Sequence, residues 1–252
     1  MVGGSSKGIG PKNALREYIG WMFRRLLQGL AARLPSQCAI CRAWPAEPVC
    51  EPCIAQFAQP ISRCQTCALP VPVGVRVCGV CIKRPPPLDS CLAALAYAYP
   101  WSGLIGDFKF HQHPGWAYQF ALLMRSAPWV EPALDNADLL VPLPLSTQRL
   151  QERGYNQALL LARALEPDKV ASDVLLRILH TPPQSTLARK DRLHSLRHAF
   201  AVNPFNVAQV RGKRVVLVDD VMTTGASLHA AAGVLRQAGA SHVTALVLAR
   251  TE

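Results

Sequence analysis

Two sets of residues in this chain have the types and spacing to do chemistry. The first is the run Val215–Leu228, V-V-L-V-D-D-V-M-T-T-G-A-S-L, in which four apolar residues lead into Asp219 and Asp220 and then a hydroxyl-rich turn. In an open parallel sheet, ligands bind beyond the carboxyl ends of the strands. The turn Thr223-Thr224-Gly225-Ala226-Ser227 offers hydroxyls, free backbone N–H groups and a helix N-terminus, a combination that suits a phosphate monoester. Ionised carboxylates just upstream accept hydrogen bonds from vicinal ribose hydroxyls. Together they describe a site for a ribose 5-phosphate. Taken singly, Asp219 reads as an ordinary strand-end carboxylate and Ser227 as a helix cap; the unbroken string is what points to a ligand. The turn lacks the G-x-x-x-x-G-K-[ST] pattern, which disfavours a Walker-type triphosphatase.

The second set is four C-x-x-C pairs: Cys38/Cys41, Cys50/Cys53, Cys64/Cys67 and Cys78/Cys81. A two-residue gap lets both thiolates of a pair reach one tetrahedral metal, and two pairs complete a four-cysteine set. Eight thiolates therefore match two structural zinc ions, which would supply folding free energy to a segment with little core of its own. The spacing leaves open whether neighbouring pairs combine or the arrangement is cross-braced. A redox centre explains one C-x-x-C but not four at ribbon-like intervals. A disulfide framework suits a secreted chain, and the N-terminus shows no signal-peptide pattern. Cys91, outside the pairs, reads as a small buried hydrophobe on an apolar strand.

The elements that must position these groups follow from patterning. Residues 1–36 comprise a flexible Gly/Ser tail and a basic amphipathic stretch, Ile19–Leu34, expected to pack as a helix on its own domain. Residues 37–82 form the cysteine module, and 83–90 (K-R-P-P-P-L-D-S) a proline-rich linker. From 91 to 252 strands and helices alternate: strand Cys91–Tyr99, helices Ser102–Phe110 and Ala117–Arg125, strand Leu139–Val141, helix Asn156–Leu165, strand Arg214–Val218, helix Ser227–Ala238 and strand His242–Leu248. This is an α/β pattern with a βαβ unit at its end, which requires a parallel sheet covered by helices on both faces.

Half of the 252 residues are hydrophobic and 17% charged, as in a folded globular chain, while the formal net charge of +11 favours anionic partners such as phosphates or nucleic acid. No apolar run approaches the ~20 residues a membrane-spanning helix needs. The expected compartment is the cytoplasm, where free thiols and zinc sites persist.

The Val215–Ser227 string is similar to the phosphoribosyl pyrophosphate (PRPP) signature of type I phosphoribosyltransferases. Combined with an N-terminal double zinc ribbon, the chain resembles the ComF family, which has members in DNA-uptake systems; the likeness covers roughly Cys38 to Arg250. Val141-Pro142-Leu143-Pro144, with Arg149 and Arg153-Gly154-Tyr155-Asn156-Gln157, resembles that family's V-P-x-P…R-G-[FY]-N-Q segment. Phe108-Lys109-Phe110 resembles its lysine-bearing segment. Gln184, Leu187, Arg192 and Ala199-Phe200 resemble its Q-x-x-L…R…A-F stretch, although Ser195 stands where the family often has Asn.

The resemblance implies a type I phosphoribosyltransferase-like fold that binds PRPP with magnesium. The 5-phosphate is expected on Thr223, Thr224, Gly225, Ala226 and Ser227, and the ribose on Asp219 and Asp220, the two catalytic candidates. Arg149 and Arg153 are expected at the pyrophosphate, with Lys109 as a further phosphate contact and Gly154 among the PRPP-binding residues; arginines four apart share one face if their segment is helical, and guanidinium forks grip phosphate oxygens. The polar, basic segment His180–His198 reads equally as a mobile loop over the substrate or a basic surface loop. An incoming nucleophile would displace pyrophosphate at C1, the acceptor being unidentified in the sequence. The rival expectation is a non-catalytic single-stranded DNA-binding factor of the competence machinery, its PRPP site sensory or vestigial.

Overall fold

The computed structural model describes residues 36–178 and 199–252. The expected N-terminal helix, the His180–His198 segment and with it Gln184, Leu187, Arg192 and Ser195 lie outside the described residues. By its contacts the chain divides after Glu51 into two units.

In the first unit the described residues form turns and one isolated bridge, Ser36 with Ala46. Cys38 carries a tight turn closed by the Arg42 N–H donating to the Cys38 carbonyl at 2.9 Å.

Among the described residues the α-helices are α1 (Glu51–Phe57), α2 (Gly79–Lys83), α3 (Trp101–Phe110), α4 (Trp116–Ser126), α5 (Val130–Asp135), α6 (Thr147–Arg153), α7 (Gln157–Leu165), α8 (Val207–Val210) and α9 (Ala226–Gln237). The strands are β1 (Ser90–Ala96), β2 (Leu139–Pro142), β3 (Leu175–Arg177), β4 (Phe200–Val202), β5 (Arg214–Met222) and β6 (His242–Arg250). Four of them make a parallel sheet in the order β1-β6-β5-β2, and β3 and β4 pair antiparallel as a separate ribbon.

The two central strands are the most apolar, because both their faces are covered. Val243 through Arg250 of β6 and Val215 through Val218 of β5 are all buried. Leu228, Ala231, Ala232 and Leu235 of α9 share one core with Val215, Leu217, Val243 and Ala245. Helices α4 and α7 pack on each other and on the sheet, α4 against β1 and β6, α7 against β2 and β5. The expected α/β fold with a terminal βαβ unit is therefore present.

Strand lengths differ from the sequence reading for a shared reason, the length of the neighbouring strand. β1 stops at Ala96, three residues before Tyr99, since its partner β6 ends at the Ala96–Arg250 pairing. β5 continues beyond Val218 to Met222, because β6 runs beside it through the Met222–Arg250 pairing. β2 instead parts from β5 after Pro142 pairs with Val218. Asp219 and Asp220 are thus inside the last part of β5, on a stretch with a strand neighbour on one side only among the described residues.

Candidate functional site

Where β2 and β5 part, a cleft of about 240 Å³ opens, lined on one wall by Leu143, Pro144 and Leu145 and on the other by Asp219 through Leu228. The site is built from three ends of elements.

The first is the β5–α9 turn. Gly225 precedes α9 with φ +78°, the left-handed region that glycine enters without steric cost. A side chain there would also meet Met222 Cε at 2.4 Å and His229 Nε2 at 2.9 Å. Any other residue here would hold a strained backbone and would have to displace the ends of both side chains. Thr224 Oγ1 accepts the Ala226 N–H at 3.4 Å. The expected residues Thr223, Thr224, Gly225, Ala226 and Ser227 all line the cleft.

The second is the carboxylate pair. The Asp219 carboxylate accepts the N–H of Asp220 at 2.9 Å, and that of Asp220 accepts the N–H of Val221 at 2.6 Å. Lys109, from α3, stands 3.0 Å from Asp220 Oδ1, so this lysine reaches a carboxylate within the cleft. Burial holds the Asp219 carboxyl well above the usual range, at about 7, and the neighbouring Asp220 charge adds to the rise while Lys109 opposes it.

The third is α6, which sequence patterning left conditional. Ser146 caps it, its Oγ accepting the Arg149 N–H at 3.4 Å, and Gly154 ends it with φ +79°. One turn apart on this helix, Arg149 and Arg153 both line the cleft. Arg153 donates to Gln157 Oε1 at 3.0 Å and stacks over the Phe110 ring at 5.3 Å. Gly154 does not line the cleft; its part is to stop the helix. Asn156 Nδ2 holds the Leu143 carbonyl at 3.1 Å while its Oδ1 caps α7 by accepting the Leu159 N–H.

The sequence reading missed Arg177, which lines the same cleft from β3 with its guanidinium 5.4 Å from the centre of the Phe200 ring. Burial lowers its pKa, and the charge of Arg149 lowers it further. The only sequence signal is a lone arginine in the short apolar run L-L-R-I-L, which fits a surface strand equally well. With Arg177 the cleft has four cationic side chains (Lys109, Arg149, Arg153, Arg177) against two carboxylates. Such a surface suits a ligand with more than one phosphate.

The cysteines fall into two groups, Cys38/Cys41/Cys50/Cys53 and Cys64/Cys67/Cys78/Cys81, the sulfurs of each lying within 4.8 Å of one another. The pairing left open by spacing is thus sequential. In both groups a backbone amide donates to a thiolate position: Cys50 N–H to Cys38 Sγ at 3.4 Å and Cys78 N–H to Cys64 Sγ at 3.3 Å. Burial works against ionisation of Cys38 and Cys64, but these donors, with others from the same turns, outweigh it and draw both thiols down to about 6. Thiolates on a four-sulfur set fit a structural zinc with a closed coordination sphere. Cys91 is buried on β1, and burial pushes its thiol up to about 12, so it is an unreactive core thiol.

A family model described as the phosphoribosyl transferase domain matches residues 152–252. The DNA utilization protein YhgH of Salmonella typhimurium is 30% identical over 227 residues, covering 86% of this chain and 98% of that protein. Competence protein F of Haemophilus influenzae is 32% identical over 212 residues, covering 80% and 90% respectively. This chain belongs to the ComF family. A further ComF relative, competence protein ComFC of Bacillus subtilis, is 40% identical over 118 residues, 46% of either chain. The fold of this ComF protein is accordingly that of the phosphoribosyltransferases, with two four-cysteine clusters towards its N-terminal side. Among the described residues no helix is long and apolar enough to cross a membrane.

Proposed function

We propose that the cleft binds PRPP with magnesium and that the protein transfers the phosphoribosyl group to an acceptor in the uptake or use of DNA. The observation that carries this reading is the meeting, in one cleft, of the Thr223–Ser227 loop, the Asp219–Asp220 pair and the α6 arginines. The loop supplies N–H and hydroxyl donors for the 5-phosphate. Asp219 and Asp220 accept from the ribose hydroxyls. Arg149, Arg153 and Arg177 are the cations for the pyrophosphate, and Lys109 balances the Asp220 charge.

In the reaction, the acceptor's lone pair forms a bond to C1, and the C1–O bond breaks with its electrons leaving on pyrophosphate. The acceptor's proton passes to water. Positive charge developing on the ribose ring is favoured by Asp219 and Asp220, and negative charge on the leaving group by the arginines. Asp219 and Asp220 would hold magnesium when it enters with PRPP, and the ion would neutralise further charge on the leaving group. The DNA context comes from the names of the relatives, a DNA utilization protein and competence proteins. Pyrophosphate release from PRPP, followed with bases, nucleosides and single-stranded DNA as acceptors, tests the transfer. A rise above the uncatalysed rate with one of them is expected; no rise with any of them removes the enzymatic claim.

The net charge of +11 favours a second reading, a single-stranded DNA-binding factor whose PRPP site senses the ligand without consuming it. Binding to single strands that weakens steeply with salt supports it, and absence of binding at low salt removes it.

A further inference from the structure

Arg250 ends β6 and is a charged residue within the core, only 5% exposed. Its Nε donates to the carbonyl of Cys67 at 2.9 Å. Its Nη1 donates to the carbonyl of Met222 at 3.0 Å and to that of Thr223, with further contacts to the Thr251 carbonyl and hydroxyl. One guanidinium thus ties a member of the second cysteine cluster to the first residue of the phosphate-type loop. A second link runs parallel to it. The Cys91 N–H donates to the carbonyl of Gln65, inside the Cys64–Cys67 turn, at 2.7 Å, and Cys91 Sγ lies 3.5 Å from Met222 Sδ. The Cε of Met222 occupies the space a side chain on Gly225 would need. Cys64, Cys67 and Cys81 belong to the same buried core as Met222 and Ala226.

We infer that Arg250 is a positioning residue that couples the metal state of the Cys64/Cys67/Cys78/Cys81 cluster to the affinity of the Thr223–Ser227 loop for its phosphate ligand. This rests on the reading of the cleft as a PRPP site. The physical cause is position. Zinc would fix the Cys64–Cys67 turn, whose Cys67 carbonyl holds Arg250 Nε. Without metal that turn is free to move, and the buried guanidinium, which must keep its hydrogen bonds, moves with it. It carries along the Met222 and Thr223 carbonyls, which set where the loop begins. The sequence hides this link, because the strand expected there, His242–Leu248, stops short of Arg250.

Coupling is reciprocal in affinity, so ligand in the cleft must tighten metal binding at the cluster by the factor with which metal improves ligand binding. The experiment measures zinc release from the zinc-loaded full chain to a chromogenic chelator at equilibrium, with and without saturating PRPP and magnesium, together with PRPP affinity by calorimetry. In the wild type, the affinity for one of the two zinc ions is expected to rise by about five- to hundredfold, the usual range of such couplings. In Arg250→Met the rise is lost and PRPP affinity falls by a similar factor, and Arg250→Lys restores part of both. A wild type that binds PRPP but holds both zinc ions with affinities indifferent to it overturns the inference. So does an Arg250→Met protein that keeps two zinc ions and full affinity. Should Arg250→Met fail to fold, the wild-type release assay and Arg250→Lys still decide. A wild type that binds neither PRPP nor ribose 5-phosphate instead overturns the reading of the cleft, and this inference falls with it.

Discussion

Asp219 carries a conflict between stability and function that can be measured. Burial and the Asp220 charge raise its carboxyl from the ordinary 3.8 to about 7. Between those two pH values the folded protein holds a proton that the unfolded chain has released. Its contribution to stability is therefore present below about pH 4 and is lost as pH rises through 7. Asp219→Asn removes this dependence. In thermal melts the variant should exceed the ligand-free wild type more at pH 8 than at pH 6, and an equal difference at both would contradict the assigned environment. Binding runs the other way, since only the ionised carboxylate accepts two ribose hydroxyls. PRPP affinity should rise from pH 6 to pH 8 more steeply in the wild type than in Asp219→Asn, the variant reporting the ligand's own titration. The same residue scale shows what could be read in advance. Asp219, Asp220 and the Thr223–Ser227 loop are contiguous, so their joint purpose is legible in one string. Arg177 is not, since it reaches the cleft only through the pairing of β3 with β4 across a long sequence separation.

At the scale of elements, the site depends on how two turns stop. Gly225→Ala combines a left-handed backbone with contacts at 2.4 and 2.9 Å to Met222 and His229. A left-handed non-glycine residue costs about 1–2 kcal/mol before any clash is counted. Urea denaturation should record at least that loss, with PRPP binding abolished; an unaltered midpoint would contradict the loop geometry. Ser146→Ala is the milder counterpart. It removes the cap of α6, worth about 1 kcal/mol, and should weaken PRPP binding through Arg149 and Arg153 without touching the carboxylates. Element types were well marked by periodicity, but their ends were not. The lengths of β1 and β5 were set by β6, which begins twenty residues or more beyond the end of either, and no local pattern contains that information.

For the molecule as a whole, the second cysteine cluster shares a buried core with the sheet. Metal analysis should find two zinc ions per chain, and strong chelation should lower the melting temperature substantially, because metal binding to such clusters contributes directly to folding. The four C-x-x-C pairs made the two four-cysteine clusters legible, and the parallel sheet followed from the terminal βαβ unit. The joining of the second cluster to the core was not legible, since the prolines after Lys83 suggest a boundary there. Leu88 is in fact buried and the Asp89 carboxylate accepts the Val243 N–H at 2.7 Å, so the sheet's contacts begin before β1 does.

The carboxylate pair and the hydroxyl-rich loop line one cleft, proposed here as a ribose-phosphate site. The deciding measurement is calorimetric titration of the zinc-loaded protein with PRPP and magnesium. We expect one ligand per chain in the wild type and no detectable binding in Asp219→Asn/Asp220→Asn, with zinc content and fold retained. No heat of binding in the wild type, or equal affinity in the double variant, would contradict it.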